Sequence, residues 1–205
     1  MDPRDRAAVF GAIARHFDPA QDFLLLPGVP LDTLDFTSFT MNLGSKMVLD
    51  AQSHARRAGS AGTGPPAATA ATPPRGVLDP RAFASEVRAH RLAWGAMLVV
   101  QVAGEGRGVV ERLIGRPEYA DLRLIVAVSE DVPLADDTLL LWGIFTRFDC
   151  ARDVVPAATE SRGAWLAVRG PLGIDATWKR GYPEPVASPP EVVAGVNAWW
   201  RKEAP

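Results

Sequence analysis

In the second half of the chain, short continuous apolar runs are separated by stretches in which apolar residues recur at helical spacing. Met97-Leu98-Val99-Val100-Gln101-Val102 has the length of a strand, and Leu122 to Val128 is apolar apart from Arg123, the pattern of a strand covered on both faces. Between them, Gly104-Glu105-Gly106-Arg107-Gly108 leads into a helix carrying Val109, Val110, Leu113 and Ile114, which Gly115 and Pro117 stop. Asp136 and Asp137 precede an apolar-rich helix from Thr138 to near Arg147, and Arg152-Asp153-Val154-Val155 predicts the beginning of another strand. Asp79-Pro80 has the cap and first-turn chemistry of a helix start, with Phe83, Val87 and Leu92 on one face. From Pro190, Val192, Val193, Val196, Trp199 and Trp200 predict a closing amphipathic helix whose tryptophans pack rather than react. The alternation predicts an α/β fold: a three-layer sandwich with a mostly parallel or mixed sheet, plus an N-terminal arm.

The arm is set off by composition. From Ser53 to Gly76 every residue is Ala, Gly, Pro, Ser or Thr except His54, Arg56, Arg57 and Arg75, which predicts a flexible linker at 53–76. It divides the chain into an arm at 1–52, too small to hold a core without a partner surface, and a longer unit at 77–205. Across all 205 residues, 22 basic side chains face 24 acidic ones, which argues against a nucleic-acid partner. The lone cysteine, Cys150, and three scattered histidines exclude an intramolecular disulfide and a Cys-based zinc site. No apolar stretch is long enough for a bilayer and the charged start is unlike a signal peptide, so the expectation is a cytoplasmic protein with no membrane partner.

The arm and the long unit repeat one another. Phe10-Gly11-Ala12-Ile13-Ala14-Arg15-His16-Phe17-Asp18-Pro19-Ala20-Gln21-Asp22 aligns on Trp142-Gly143-Ile144-Phe145-Thr146-Arg147-Phe148-Asp149-Cys150-Ala151-Arg152-Asp153, with one extra residue after the arginine. Further on, Gly44 to Ala51 pairs without a gap with Gly170 to Thr177.

These segments carry a family resemblance. Leu122 to Val132, then Trp142, Thr146-Arg147, Asp149, Arg152-Asp153 and Gly173-Ile174-Asp175-Ala176-Thr177, resemble the C-terminal domain of the UbiD family of decarboxylases. Asp18-Pro19, Pro30-Leu31-Asp32-Thr33-Leu34-Asp35-Phe36 and Gly44-Ser45-Lys46-Met47 resemble the last third of the same domain. The resemblance implies reversible, non-oxidative decarboxylation of aromatic or α,β-unsaturated acids on a prenylated flavin mononucleotide (prenylated FMN), with a divalent metal and potassium at its phosphate. The family's catalytic Glu-Arg-Glu set and metal ligands lie in regions with no counterpart in this sequence, so no catalytic or metal-ligating residue is assigned. The implied role is a small, noncatalytic subunit, paired with a larger UbiD-like catalytic subunit that holds the cofactor, or self-associated. Arg123 stands where the family has a phosphate-reaching lysine, and is the candidate for contact with a partner's flavin phosphate. Leu34 and Phe36 lie in the segment that borders the family's substrate pocket, which makes them candidates for apolar contact with a substrate or partner beside the plainer role of anchoring the arm; the long unit has no such loop, so only the arm supplies one.

Three other constellations weigh less. Gly104 to Gly108, between a strand and a helix, allows a stand-alone nucleotide or adenosylmethionine binding module, although Val102 stands where that motif has an acid. Arg147, Asp149, Arg152 and Asp153 read first as a set that pins a helix end. Cys150 reads as a small apolar residue, not a nucleophile. An inactive homologue is the remaining alternative.

Overall fold

The computed structural model describes residues 2–52, 78–184 and 186–203. The break at 53–76 therefore lies outside the described residues.

In the arm, α1 (Arg6–His16) begins at Asp5, whose side chain accepts from the Ala8 amide, and is followed by the single turn α2 (Pro19–Asp22). Strands β1 (Phe23–Pro30) and β2 (Leu43–Leu49) then form an antiparallel pair. In the long unit, β3 (Val87–Ala93), β4 (Met97–Val102), α3 (Arg107–Ile114), β5 (Leu124–Ser129), α4 (Asp137–Phe145), α5 (Cys150–Asp153), β6 (Val154–Arg162) and β7 (Trp165–Ala176) build a second sheet of order β3-β4-β5-β7-β6. The pairs β4–β5 and β5–β7 are parallel, and the two edge pairs are antiparallel. The sheet is thus mixed, and its order from β4 through β5 to β7 never reverses.

Alternation along the central strands divides the core into two layers. Leu98, Val100, Val102, Ile125 and Ala127 face α3, meeting Val109, Val110, Leu113 and Ile114. Met97, Val99, Leu124, Val126 and Val128 face the other way, meeting Leu140 and Ile144 of α4 together with Phe10 and Ile13 of α1 and Phe17 at its C-terminal cap. The expected three layers are present, and the arm forms part of one of them. Phe17 is fully buried and Phe10 stacks on Trp94 at 4.5 Å, so the partner surface that the arm requires is the long unit itself.

Two element assignments differ from the sequence pattern. Asp79-Pro80 opens only a 3-10 turn, Pro80–Ala82, and Val87 and Leu92 belong to strand β3. Arg88, His90 and Arg91 break the apolar alternation there, and pairing with β4 overrides the weak helical spacing. Cys150 to Asp153 is a helical turn capped by Asp149, so the strand begins at Val154, after the Arg152-Asp153 pair rather than with it. The closing helix exists as α6 (Pro190–Glu203), but none of its residues is buried, and Trp199 and Trp200 lie exposed with ring centroids 5.9 Å apart. The packing role expected for these tryptophans is not met among the described residues.

The repeat is structural as well as sequential. Asp18 caps α2 and Asp149 caps α5; in return Asp22 Oδ2 accepts from the Asp18 amide (2.9 Å) and Asp153 Oδ2 from the Asp149 amide (2.8 Å). Phe23 pairs with Leu49 and Val154 with Ile174, which matches Leu49 to Ile174 and Asp50 to Asp175. The ungapped pairing of Gly44 with Gly170 is therefore one residue out of register, because hydrogen-bond register, not the shared glycines, sets the equivalence.

Candidate functional site

The loop between β1 and β2 is shaped by its own acids. Asp32 Oδ1 accepts from the Leu34 amide (2.9 Å), and Asp35 Oδ1 accepts from the Thr37 amide (2.9 Å) and the Thr37 hydroxyl (2.6 Å). These turns set Leu34 between the two carboxylates and Phe36 just after the second, and the Phe36 ring packs on Trp178 and Tyr182 of the long unit. Leu34, Phe36, Asp131, Trp142, Arg147 and Trp178 line a groove of about 630 Å³, and Phe145 joins Leu34 and Phe36 in lining an adjoining recess. Both arm residues expected to border a pocket therefore lie in one groove, with walls supplied by the long unit.

The groove floor is an aromatic cluster. Phe36 meets the Tyr182 ring edge-on at 4.9 Å, and Trp178 meets it at 5.5 Å. The Tyr182 hydroxyl lies 3.2 Å from the Thr37 carbonyl and accepts from Arg152 Nη2 (2.8 Å), tying the loop to α5; burial pushes its phenol up to about 12. At the rim, Arg147 donates twice to Asp131, at 2.8 and 2.7 Å, and its guanidinium carbon sits 5.0 Å from the Trp178 ring centroid. The Arg147 guanidinium holds the Asp131 carboxyl below the usual carboxylate range. Behind the floor, Lys179 Nζ donates to the carbonyls of Arg147, Asp175 and Thr177, at 3.1, 2.7 and 3.1 Å, and burial lowers its pKa. Flat aromatic walls with one ion pair at the rim suit an apolar or aromatic group carrying a polar end.

The charge set Arg147, Asp149, Arg152 and Asp153, close in sequence, divides in two in space. Arg147 faces the groove, while Asp149, Arg152 and Asp153 cap α5 and brace Tyr182. Trp178, Lys179 and Tyr182 were missed as site residues; the only available signal was their position just after the Gly-Ile-Asp-Ala-Thr segment. Cys150 is half-buried, and burial pushes its thiol up to about 11, which fits an unreactive residue.

Arg123 lies away from the groove, just before β5. Its Nε donates to the Ala14 carbonyl (3.2 Å) at the end of α1, and its charge is met by Asp18, Asp121 and Asp22. One cation among three carboxylates is a poor seat for a phosphate dianion, so the residues present here do not fit a flavin phosphate within this chain. Among the described residues no group of three or more His, Cys, Asp or Glu side chains is placed to hold a metal ion. At the glycine-rich turn, a Cβ on Gly106 would stand 2.5 Å from Ala127 Cβ and 2.7 Å from Asp175 Oδ1. Gly106 is thus required by close helix–strand packing.

Residues 1–51 match the sequence family described as the 3-octaprenyl-4-hydroxybenzoate carboxy-lyase C-terminal domain. That similarity covers the arm, about a quarter of the chain. An uncharacterized protein of Archaeoglobus fulgidus is 31% identical in an alignment of 112 residues that covers 48% of this chain and 23% of that protein. The chain thus spans about a quarter of that relative's length. Among solved structures, the UbiD-class enzyme HmfF from Pelotomaculum thermopropionicum in complex with FMN aligns over 56% of this chain and 29% of its own, with 22% identity and a TM-score of 0.42. The vanillic acid decarboxylase of Sedimentibacter hydroxybenzoicus, in closed form, aligns over 60% of this chain and 30% of its own, with 19% identity and a TM-score of 0.42. No helix among the described residues is long and apolar enough to cross a membrane.

Proposed function

We propose that this chain is a small, noncatalytic subunit of a UbiD-like decarboxylase or carboxylase of aromatic or unsaturated acids, working in the cytoplasm beside a larger subunit that holds prenylated FMN with its divalent metal and potassium. The observation that carries this reading is the loop Pro30 to Phe36. It lies in the segment that matches the UbiD C-terminal domain, and it closes onto a groove walled by Trp142, Trp178 and Arg147 of the long unit. Here Leu34 remains 85% exposed at the groove mouth, available to a substrate or to the partner's surface.

The test is purification of the tagged chain from its native cells, with mass spectrometry and a visible absorption spectrum of the eluate. Recovery with a larger UbiD-like protein and flavin absorbance is the expected result; a colourless chain eluting alone rejects it. In the same complex, Arg123→Ala separates two roles for that residue. Contact with the partner's flavin phosphate requires lower flavin retention with unchanged assembly. An anchor for the end of α1 gives unchanged flavin content and a lower melting temperature.

A further inference from the structure

In an isologous interface a surface meets its own copy, so that each contact occurs twice with the roles exchanged. That reciprocity exists inside this single chain: α2 of the arm packs on β7 of the long unit, and α5 of the long unit packs on β2 of the arm. The elements concerned are the two copies of one repeat, with the same double aspartate cap and the same strand register.

The two copies of the repeat's first helix differ in which faces they bury. Helix α4 turns Leu140 and Ile144 toward its own sheet, and the matching positions in α1 are Ala8 and Ala12, as suits an arm with no large sheet of its own. The other face of α1 carries Phe10 and Ile13, which are buried beside Trp94. The matching positions in α4 are Trp142 and Phe145, and these are 62% and 52% exposed. An apolar docking face is therefore present on both helices, but only the arm's copy is seated.

We propose that the arm is a built-in substitute for a second protomer: it occupies the seat at Trp94, Arg123, α5 and β7 that the α4–α5–β6–β7 unit of another copy fits. With the arm displaced, two long units pair, Trp142 and Phe145 of each taking the places of Phe10 and Ile13 against the other. Asp153 then stands where Asp22 stands, near the partner copy's Arg123. The arm binds better because Ser45 Oγ donates to Asp149 Oδ2 (2.8 Å) and accepts from the Ala151 amide (2.7 Å), whereas the matching stretch of β7, Arg169-Gly170, carries no hydroxyl. The intact chain therefore keeps its own arm, and the second copy is excluded until the arm leaves.

A protease site introduced within residues 53–77 of the full chain allows the arm to be freed after folding. Sedimentation velocity and circular dichroism are then followed on serial dilution. The uncut protein is expected to hold its mass. The cut protein is expected to give a species of twice the long unit's mass with unchanged secondary structure, and excess arm fragment is expected to restore the one-to-one complex. Trp142→Glu with Phe145→Glu, both at exposed positions, should leave the uncut chain folded and raise the dissociation constant of the long-unit dimer at least tenfold. A cut long unit that stays monomeric, that unfolds, or that dimerises equally well with both glutamates present overturns the proposal.

Discussion

The arm's β2 and the long unit's β7 occupy equivalent places in the repeat, yet Val48 stands in one where Gly173 stands in the other. Val48 is 47% exposed on the arm's two-stranded sheet. Gly173 lies beneath α3, where a Cβ would stand 2.2 Å from Val110 Cγ1 and 3.1 Å from the Val155 carbonyl oxygen. The same local framework thus tolerates a β-branched residue or forbids any side chain, according to the layer above it. Much the same holds along the first helix of each copy: Gly143 allows α4 within van der Waals contact of Val132, while at Gly11 the nearest atoms belong to the flexible Arg15 side chain. What the repeat transmits is capping and register. What it does not transmit is burial, which each copy takes from its surroundings.

The sharpest way to break this comparison is to remove an aromatic side chain the two copies share. Phe17→Ala empties a fully buried position between arm and sheet and should cost about 3–5 kcal/mol. Chemical denaturation is expected to show one transition for arm and long unit together; a separate early transition for the arm would contradict the integrated core. Next in size, Gly173→Val should destabilise by about 1–3 kcal/mol through overpacking against Val110. Val48→Gly, the reverse exchange in the other copy, should cost only about 0.5–1 kcal/mol, mainly in backbone entropy. Equal losses at the two positions would mean that α3 does not set the difference.

The caps should respond more evenly. Asp18→Ala and Asp149→Ala each remove a side chain that accepts backbone amides at a helix start, and each should cost about 1 kcal/mol. Asp149→Ala should cost more, since it also breaks the hydrogen bond from Ser45. The smallest effect belongs to the groove rim, which has no counterpart in the arm, where Arg15 is exposed. Asp131 is held below the usual carboxylate range by Arg147, so its stabilising contribution is present above an ordinary carboxylate pKa of about 3.9 and is lost as pH falls through its lower folded value. The difference in melting temperature between wild type and Asp131→Asn should therefore be steady near neutrality, begin to shrink below about pH 4 and vanish once the pH is below the lowered folded value.

Much of this architecture was legible in the sequence, for reasons that can be named. Strands β4 and β5 are buried on both faces, and such strands must be continuously apolar. Helix α4 was marked by Asp136, which accepts from the Thr138 and Leu139 amides as its cap position implied. Strand β3 was hidden because an edge strand needs to bury only part of itself, which let Arg88, His90 and Arg91 interrupt the pattern. Half of the groove was visible as Leu34 and Phe36. Trp178 and Tyr182 were not, because their role comes from a contact with Phe36 across more than 140 residues of chain, and no local pattern records such a contact. The environment of Arg123 was equally silent: three aspartates distant or adjacent in sequence converge on it only after the arm docks.

The unequal length of the two hairpins has one more consequence. Between β1 and β2 the chain inserts the loop that carries Leu34 and Phe36, whereas β6 turns directly into β7 at Gly163. An arrangement with twofold internal symmetry would present its recesses in pairs. Among the described residues, the groove that Leu34 and Phe36 line has no twin at the β6–β7 turn, so the repeat is twofold in its framework and one-sided in its recesses.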